Sequence, residues 1–380
     1  MLDIKRWDNL EAFHARDWDA LLPPDALYLS HAHLRAIGQC EIGVKQFQYV
    51  MFLWNNAPIG GAILYCVDTP LSVFWPRQLS AEQLRRESPQ TRWLSVRTVE
   101  CGIPSAIGRA VFWRRPEDAN KVLSGLTDAM WAFADEMNCK TLIVRDMDEG
   151  SASLAREHCG DALRLVSFFP DTMLDIRWKN WDDYLSSLRK RYRQRIRYNQ
   201  DAFQKAGITT EHRTEFGGIV EELHELYLQV YARATELRRE RLTPAYFAAF
   251  NACMGERSSV QLYKQGDRIV GFDLLLHDAE TLRCLYTGFD YRVNETARLY
   301  LNSYVENIKL AIQHSIRKVE WGLSSYPAKL ALGAKPVPLQ FGLLHRSNLI
   351  GRILKGVFAH TLGAKKLPEY RVFRDHPSAP

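Results

Sequence analysis

Residues 281–339 read TLRCLYTGFDYRVNETARLYLNSYVENIKLAIQHSIRKVEWGLSSYPAKLALGAKPVPL, and this stretch decides the fold. Thr281–Gly288 is rich in apolar, β-branched and aromatic residues and predicts a strand that leads into Tyr286-Thr-Gly-Phe-Asp290. A polar loop follows. Leu299–Ser315 carries apolar residues at helical spacing and predicts a long amphipathic helix. Lys318–Gly322 predicts the next strand, which runs into Glu320-Trp-Gly-Leu-Ser-Ser-Tyr326 and then a loop punctuated by Pro327, Gly333, Pro336 and Pro338. A helix N-terminus just after a strand offers free N–H groups to an anion. If the two strands are neighbours, the polar residues at their ends converge there.

Upstream, the same outline recurs. Ser259–Tyr263 and Ile269–Leu276, joined by Gln265-Gly-Asp-Arg268, predict a hairpin after three helices, at about Trp181–Ala206, Gly218–Glu236 and Thr243–Cys253. In the first half, Gln46–Trp54 and Ile59–Val67 flank Asn55-Asn-Ala-Pro58 and predict another hairpin. Residues 1–40 read as helix-rich, and 68–95 as irregular. A strand near Trp93–Glu100, a helix over Pro116–Met137, a strand Lys140–Arg145, a helix Ser151–Cys159 and a strand Asp171–Arg177 complete that half. Each half thus holds a helix, an antiparallel hairpin, a helix and a strand. The expected fold is α/β (α+β), a duplication with two lobes, each a mostly antiparallel mixed sheet flanked by helices. The expected domains are 1–177 and 178–380, with 181–206 a basic linker helix and 343–362 a C-terminal helix.

The bulk numbers agree. A chain of 380 residues is long for a single core, so two domains are expected. The net charge of +6 is modest. It allows a local patch for an anionic partner but not a coat for DNA. The seven cysteines are scattered, with no metal-ligand spacing, and point to reduced thiols in a cytoplasmic protein. The N-terminus has no apolar core of a signal peptide, and no apolar run is long enough to span a bilayer. No nucleophile elbow, HExxH, Walker A loop or GxGxxG occurs, which leaves serine hydrolase, metal hydrolase, P-loop and dinucleotide-binding functions unsupported. His224 and His314 stand alone in sequence and read as ordinary helix residues.

The block resembles the C-terminal half of the acyl-CoA N-acyltransferase (GNAT-like) superfamily, in particular its tandem-domain Fem-like and BioF2-like "peptidoglycan biosynthesis" acyltransferases. Tyr286-Thr-Gly-Phe-Asp290, the Leu- and Tyr-rich helix, Gly322-Leu-Ser-Ser-Tyr326 with Lys329, and Leu332-Gly-Ala-Lys335-Pro-Val-Pro-Leu339 carry the resemblance. So does Trp181-Asp-Asp-Tyr-Leu-Ser-Ser-Leu188 running into a basic helix. It covers about residues 178–345 and implies two GNAT-like lobes, with an acceptor held in the cleft between them and loops such as Cys101-Gly-Ile-Pro104 lining it.

Acyl transfer to an amine needs a polarised carbonyl, a base for the amine and an acid for the leaving group. Glu320 and Asp290 are the candidate bases, Tyr326 and Tyr300 the candidate acids. Tyr286, Asn302, Ser324, Ser325, Lys329 and Lys335 are candidate acceptor contacts, Lys329 being most like the family's substrate-loop lysine. For each there is a plainer use: Asp290 closing its own turn, Glu320 on an edge strand, Tyr300 in the core, Lys329 in a solvated loop.

No cofactor is expected to be permanently bound; an acyl-CoA or another acyl donor is the co-substrate. The glycine-containing loop that cradles CoA pyrophosphate in single-domain acetyltransferases is replaced by Arg292-Val-Asn-Glu-Thr-Ala297. The donor is therefore open among acyl-CoA, an acyl carrier protein and, as in Fem-like proteins, aminoacyl-tRNA. The acceptor is a small-molecule or peptide amine. A non-catalytic binding protein on the same fold is the remaining alternative.

Ser187-Leu-Arg-Lys-Arg-Tyr-Arg-Gln-Arg-Ile-Arg-Tyr-Asn199 sets Leu185, Leu188, Tyr192, Ile196 and Phe203 on one stripe and its basic residues elsewhere. Arg189, Arg193 and Arg197, with Arg298, are candidate donor contacts. Phe341–Lys366 interleaves apolar residues with Arg346, Arg352, Lys355, Lys365 and Lys366. It is expected to pack its stripe on the domain, with peripheral membrane contact as the alternative.

Overall fold

The computed structural model describes residues 1–39, 43–70, 95–234, 240–278, 280–362 and 367–374. Cys40, Lys365, Lys366 and most of the 68–95 segment lie outside them. Two compact units form, and neither is continuous in sequence. The first holds Met1–Phe169, Ala232–Met254 and Pro338–Ala364; the second holds Pro170–Tyr231, Gly255–Val337 and Lys365–Pro380. The linear division expected after residue 177 describes chain order, whereas these units describe where contacts gather.

The first unit contains β1 (Leu2–Trp7), β2 (Val44–Trp54), β3 (Ala57–Pro70), β4 (Ser95–Cys101), β5 (Val111–Trp113) and β6 (Thr141–Met147). Its helices are α1 (Ala15–Asp19), α2 (His31–Gly38), α3 (Ala119–Glu136) and α4 (Glu149–Cys159). The chain leaves it within β7 (Arg164–Asp175). The second unit adds α5 (Trp181–Ser187), α6 (Lys190–Lys205), β8 (Ile208–Arg213), most of α7 (Val220–Arg233), β9 (Ser258–Gln265), β10 (Arg268–His277) and β11 (Thr281–Phe289). It also holds α9 (Tyr291–Ala297), α10 (Leu299–Gln313), β12 (Lys318–Glu320) and α11 (Tyr326–Leu330). The intervening α8 (Pro244–Met254), the bulk of β13 (Lys335–His345) and α12 (Asn348–Leu362) belong to the first unit.

In the first unit β1, β2, β3 and β4 pair antiparallel in order, β4 pairs β6 parallel, and β13 pairs β6 antiparallel. In the second, β8, β9, β10 and β11 pair antiparallel, β11 pairs β12 parallel, and β7 pairs β12 antiparallel. The duplication is therefore one of topology: a meander, a helical crossover, then a parallel pair. Both lobes are GNAT-like mixed sheets flanked by helices.

Local chemistry explains most elements. Asn55 and Asn56 take positive φ (50° and 66°), the conformation a two-residue hairpin turn needs, and asparagine tolerates it. Helix α3 buries Val122, Leu123, Leu126, Met130 and Phe133, the stripe expected from its spacing. Gly288 is fixed by packing: a Cβ there would lie 2.6 Å from the Tyr227 backbone nitrogen and 2.7 Å from the Leu226 carbonyl carbon. Helix α7 thus crosses β11 too closely for any side chain. Gly288→Ala is expected to cost about 1–3 kcal/mol of stability, read from urea unfolding.

Several expectations are corrected. Residues 1–40 do not open in helix: Leu2–Trp7 pairs Leu2↔Trp54 through Trp7↔Tyr49 as an edge strand. The polar stretch after Asp290 is a helix, α9, capped by the Asp290 side chain on the Arg292 N–H. Residues 343–345 belong to β13, and the C-terminal helix begins at Asn348. Phe341–Leu344 are all buried, and such a short apolar run reads as strand or helix alike.

The basic helix expected over 181–206 is broken at Leu188–Arg189. Leu188 bridges to Phe373 as an isolated β-pair, the Arg189 N–H donates to Val372 O (2.9 Å), and the Arg374 N–H donates to Ser187 O (2.8 Å). A C-terminal segment thus supplies at the break the backbone bonds that a continuous helix would make internally. The apolar stripe of α12 is not packed away either: Leu349, Ile350, Ile353 and Val357 are exposed, while Gly351 and Phe358 are buried.

Candidate active site

In the second unit the parallel pair lasts for only three register positions, Thr281↔Lys318, Leu282↔Val319 and Arg283↔Glu320. Strand β11 runs on to Phe289 after β12 has ended. Its ladder with β10 slips between Leu274, paired to Tyr286, and Leu275, paired to Cys284, so Leu285 bulges. A bulge bends a strand and re-aims its side chains. Although β11 is an interior strand, Cys284–Thr287 are half-exposed. The sheet is open here.

Buried charges gather at the point of divergence. Arg283 Nη1 donates to Glu320 Oε2, and Arg283 Nε lies 3.8 Å from Asp278 Oδ2. Glu320 faces Met173 across β7–β12. Residues two apart on a strand share a face, so Asp171 falls on the Glu320 side. Asp171 is 5% exposed, and its Oδ1 accepts the Thr172 N–H at 2.6 Å. Burial, and then the neighbouring Glu320 charge, push its carboxyl well above the ordinary range.

Behind this pair, Lys329 is buried, and its Nζ donates to three successive carbonyls, Trp321 O (2.7 Å), Gly322 O (2.9 Å) and Leu323 O (2.9 Å). Thr172 Oγ1 also donates to Gly322 O (2.6 Å). The loop from Gly322 to Ser325 is half-exposed, and Gly322, Ser324 and Ser325 have φ of 70°, 67° and 54°.

The other expected residues divide clearly. Tyr326 is buried, and its hydroxyl donates to Pro170 O (2.8 Å). Tyr304 donates to the Tyr300 hydroxyl (2.9 Å), and its ring packs 5.3 Å from that of Trp321. Tyr300 is half-exposed. Tyr286 is half-exposed on the bulged strand, edge-on to Tyr227 at 5.9 Å. Asn302 spends its side-chain N–H groups on Asn199 O, Ala297 O and Arg298 O, clamping α10 to α6. Lys335 sits on the surface 3.6 Å from Asp175 Oδ2.

Asp290 lies apart from Glu320 in role. It caps α9 and pairs with Arg268 and Arg292. Burial works to raise its carboxyl, but hydrogen bonds from the Arg292 side chain and backbone and from Arg268 hold it below the ordinary value. A carboxylate therefore occupies the start of α9, while α10, the helix whose start was expected to offer an anion site, opens at Leu299 after Arg298.

Of the basic residues, Arg189 caps α6 and donates from Nε to Phe373 O (3.0 Å). Arg298, with φ of 54°, stacks over Tyr198 at 4.7 Å. Arg195 and Arg197 are exposed and Arg193 half-exposed; none of the three forms an ion pair among the described residues.

Three buried groups were not singled out from the sequence. Arg283 and Asp171 are lone charges in apolar strands, a signal that was there to use. Asp273 is fully buried, and its Oδ2 accepts from Tyr263 Oη (2.7 Å) and Asn307 Nδ2 (3.3 Å). Burial raises its pKa to about 6. In addition, His212 and His277 both hydrogen-bond Ser259 Oγ, at 2.9 and 2.6 Å, and burial holds His277 down to about 4.

The first unit repeats the parallel pair with other chemistry. Buried Glu100 accepts from Tyr65 Oη and Thr98 Oγ1, each at 2.7 Å, and Arg145 Nη1 donates to Tyr65 Oη at 2.6 Å.

A meander leading through a helical crossover to a short, diverging parallel pair, repeated once, defines a tandem GNAT fold. Residues 101–343 match the model of the FemAB-like family, described as peptidoglycan biosynthesis/recognition, and the chain belongs to this family. The structure is similar to that of FemX, with a TM-score of 0.57 at 10% identity over 92% of this chain and 100% of that one. It is also similar to a tandem GNAT protein from the clavulanic acid biosynthesis pathway, with a TM-score of 0.50 at 11% identity, covering 91% and 99%. At these identities the likeness is one of fold. In sequence the chain is 25% identical over 357 residues to the putative 8-amino-7-oxononanoate synthase 2 of two Mycobacterium tuberculosis strains. The match takes in 90% of this chain and 45% of that protein, so the chain spans about half the length of these curated relatives. Among the described residues, no helix is long and apolar enough to cross a membrane.

Proposed function

We propose that the second unit transfers an activated acyl or aminoacyl group to an amine acceptor at the opening between β11 and β12. The observation that carries this reading is the buried Arg283–Glu320 pair, with Asp171 on the same face, at the end of the β11–β12 parallel pair. Glu320 takes the proton of the acceptor amine as its nitrogen attacks the acyl carbonyl. The C–N bond forms, the bond to sulfur or oxygen breaks, and Tyr300 protonates the leaving group. Asp171, whose carboxyl burial and the Glu320 charge push upward, lies on the same face and favours a single negative charge for the two carboxyls. Asp290 serves as a cap and not as the base, and Tyr326 serves to hold its loop.

The acceptor proposed is the amine of a peptide or small molecule of peptidoglycan-precursor type, in keeping with the family description. The activity named for the curated relatives belongs to proteins about twice this length and does not enter the proposal.

The donor's carrier bears phosphate: coenzyme A, an acyl carrier protein or tRNA. The Asp290 carboxylate at the start of α9 opposes a pyrophosphate in the place a single-domain acetyltransferase uses, while Arg193, Arg195 and Arg197 line α6 without ion pairs among the described residues. That contrast favours aminoacyl-tRNA as the second reading. Melting curves with acetyl-CoA, longer acyl-CoAs and aminoacyl-tRNA test both, because a ligand that binds the native state raises the melting temperature. Binding to tRNA is expected to weaken steeply with salt, whereas CoA binding changes little. No shift with any donor refutes the donor class.

A further inference from the structure

We propose that the backbone of Gly322–Ser324 forms an oxyanion-binding loop and that Lys329 is the residue that positions it. The inference rests on the acyl-transfer reading above and supplies the group that reading lacks, a donor set for the negative oxygen of the tetrahedral intermediate.

Lys329 gathers the carbonyls of Trp321, Gly322 and Leu323 around one buried ammonium. In a trans peptide the C=O and N–H of one unit point in opposite directions. The amides sharing those three units belong to Gly322, Leu323 and Ser324, and they are turned away from the ammonium. None of the three makes a hydrogen bond among the described residues. The stretch is half-exposed, and the amides lie on the side of the loop away from the buried ammonium. Left-handed φ at Ser324 and Ser325 is a conformation that L-residues adopt at a cost, and the lysine's three bonds hold the loop against it.

A second, independent observation lies on the same stretch. The indole N–H of Trp321 is buried and has no partner among the described residues, a further unmet donor on the residue that opens the loop. Successive backbone N–H groups bind anions, and donors fixed in advance stabilise the charge that develops in an acyl-transfer transition state. Glu320, the proposed base, directly precedes this loop. The donors belong to the loop itself; α11 begins after them, at Tyr326.

The test uses the full chain labelled with ¹⁵N-glycine, ¹⁵N-leucine and ¹⁵N-serine, titrated with methylphosphonate and with acetate. Saturable shifts at Gly322, Leu323 and Ser324 are expected in the wild type, and at least about tenfold weaker binding in Lys329→Met. Lys329→Arg, which keeps the charge but not the compact ammonium geometry, is the control if the methionine variant fails to fold; it is expected to weaken binding as well. Absence of shifts at these amides in the wild type, or equal affinity in a folded Lys329 variant, overturns the proposal. With a working donor, the same variant is expected to lower kcat by about 10²–10³-fold with KM little changed. A pure KM effect overturns the oxyanion role and makes the loop a contact for a substrate anion. Shifts that persist while no donor is turned over keep the loop as an anion site and refute the acyl-transfer reading alone.

Discussion

Glu320→Gln lowers acyl turnover by about 10²–10⁴-fold, the range expected for loss of a general base. Glutamine keeps the shape and an oxygen for Arg283 but cannot take the amine's proton. The substitution also leaves Arg283, whose side chain is 9% exposed, without its main anionic partner. Breaking a buried pair from one side costs about 3–5 kcal/mol, and Asp278 at 3.8 Å offsets part of it. Stability and chemistry are separated by the double variant Glu320→Gln with Arg283→Met. Removing both charges restores part of the melting temperature, because the Arg283–Glu320 pair is removed whole while Asp278 loses its Arg283 neighbour, but it does not restore turnover. Recovery of turnover in the double variant refutes the base assignment.

Asp273→Asn flattens a pH dependence that the wild type shows. Asp273 has a folded pKa of about 6, raised by burial from an ordinary value near 3.8. Below about 4 both folded and unfolded chains carry its proton, and the group is neutral to stability. As pH rises from about 4 to about 6 the unfolded chain loses the proton first, so stability falls. Above about 6 the penalty is constant at roughly 3 kcal/mol. Asparagine never charges, so the stability difference between variant and wild type grows in the variant's favour over that window and then stays level. Urea unfolding at a series of pH values reads it. A difference that does not change between pH 4 and pH 6 refutes the assignment of a raised pKa to this residue.

The sequence was readable wherever local chemistry acts alone. The Asn55-Asn56 turn, the hairpin around Gly266 and the α3 stripe each follow from residues within a few positions of one another. The topology around residues 281–320 was readable because a strand, a helix and a strand of these lengths pack in few ways. What stayed hidden depends on distant chain. The break between α5 and α6 is made by Val372–Arg374, far along the sequence. The mixed polarity of β1 and β8 hid two edge strands, whose burial alternates imperfectly. Gly288 is explained by the α7 backbone crossing above it and by the Phe272 ring on the neighbouring strand.

The site divides in the same way. Glu320 and Lys329 could be picked out by position, but the sequence did not show that Lys329 turns inward onto three carbonyls. It also did not show that Asp290 is held by two arginines. Arg283 and Asp171 could have been found, because a lone charge in an otherwise apolar strand is costly unless something pairs it.

The most direct measurement follows formation of the acylated amine by mass spectrometry, with aminoacyl-tRNA and acyl-CoA donors and a peptidoglycan-precursor peptide as acceptor, in wild type and Glu320→Gln side by side. Product formed by the wild type and lost in the folded variant is the expected result. Product formed equally by both contradicts the placing of the chemistry at the β11–β12 opening.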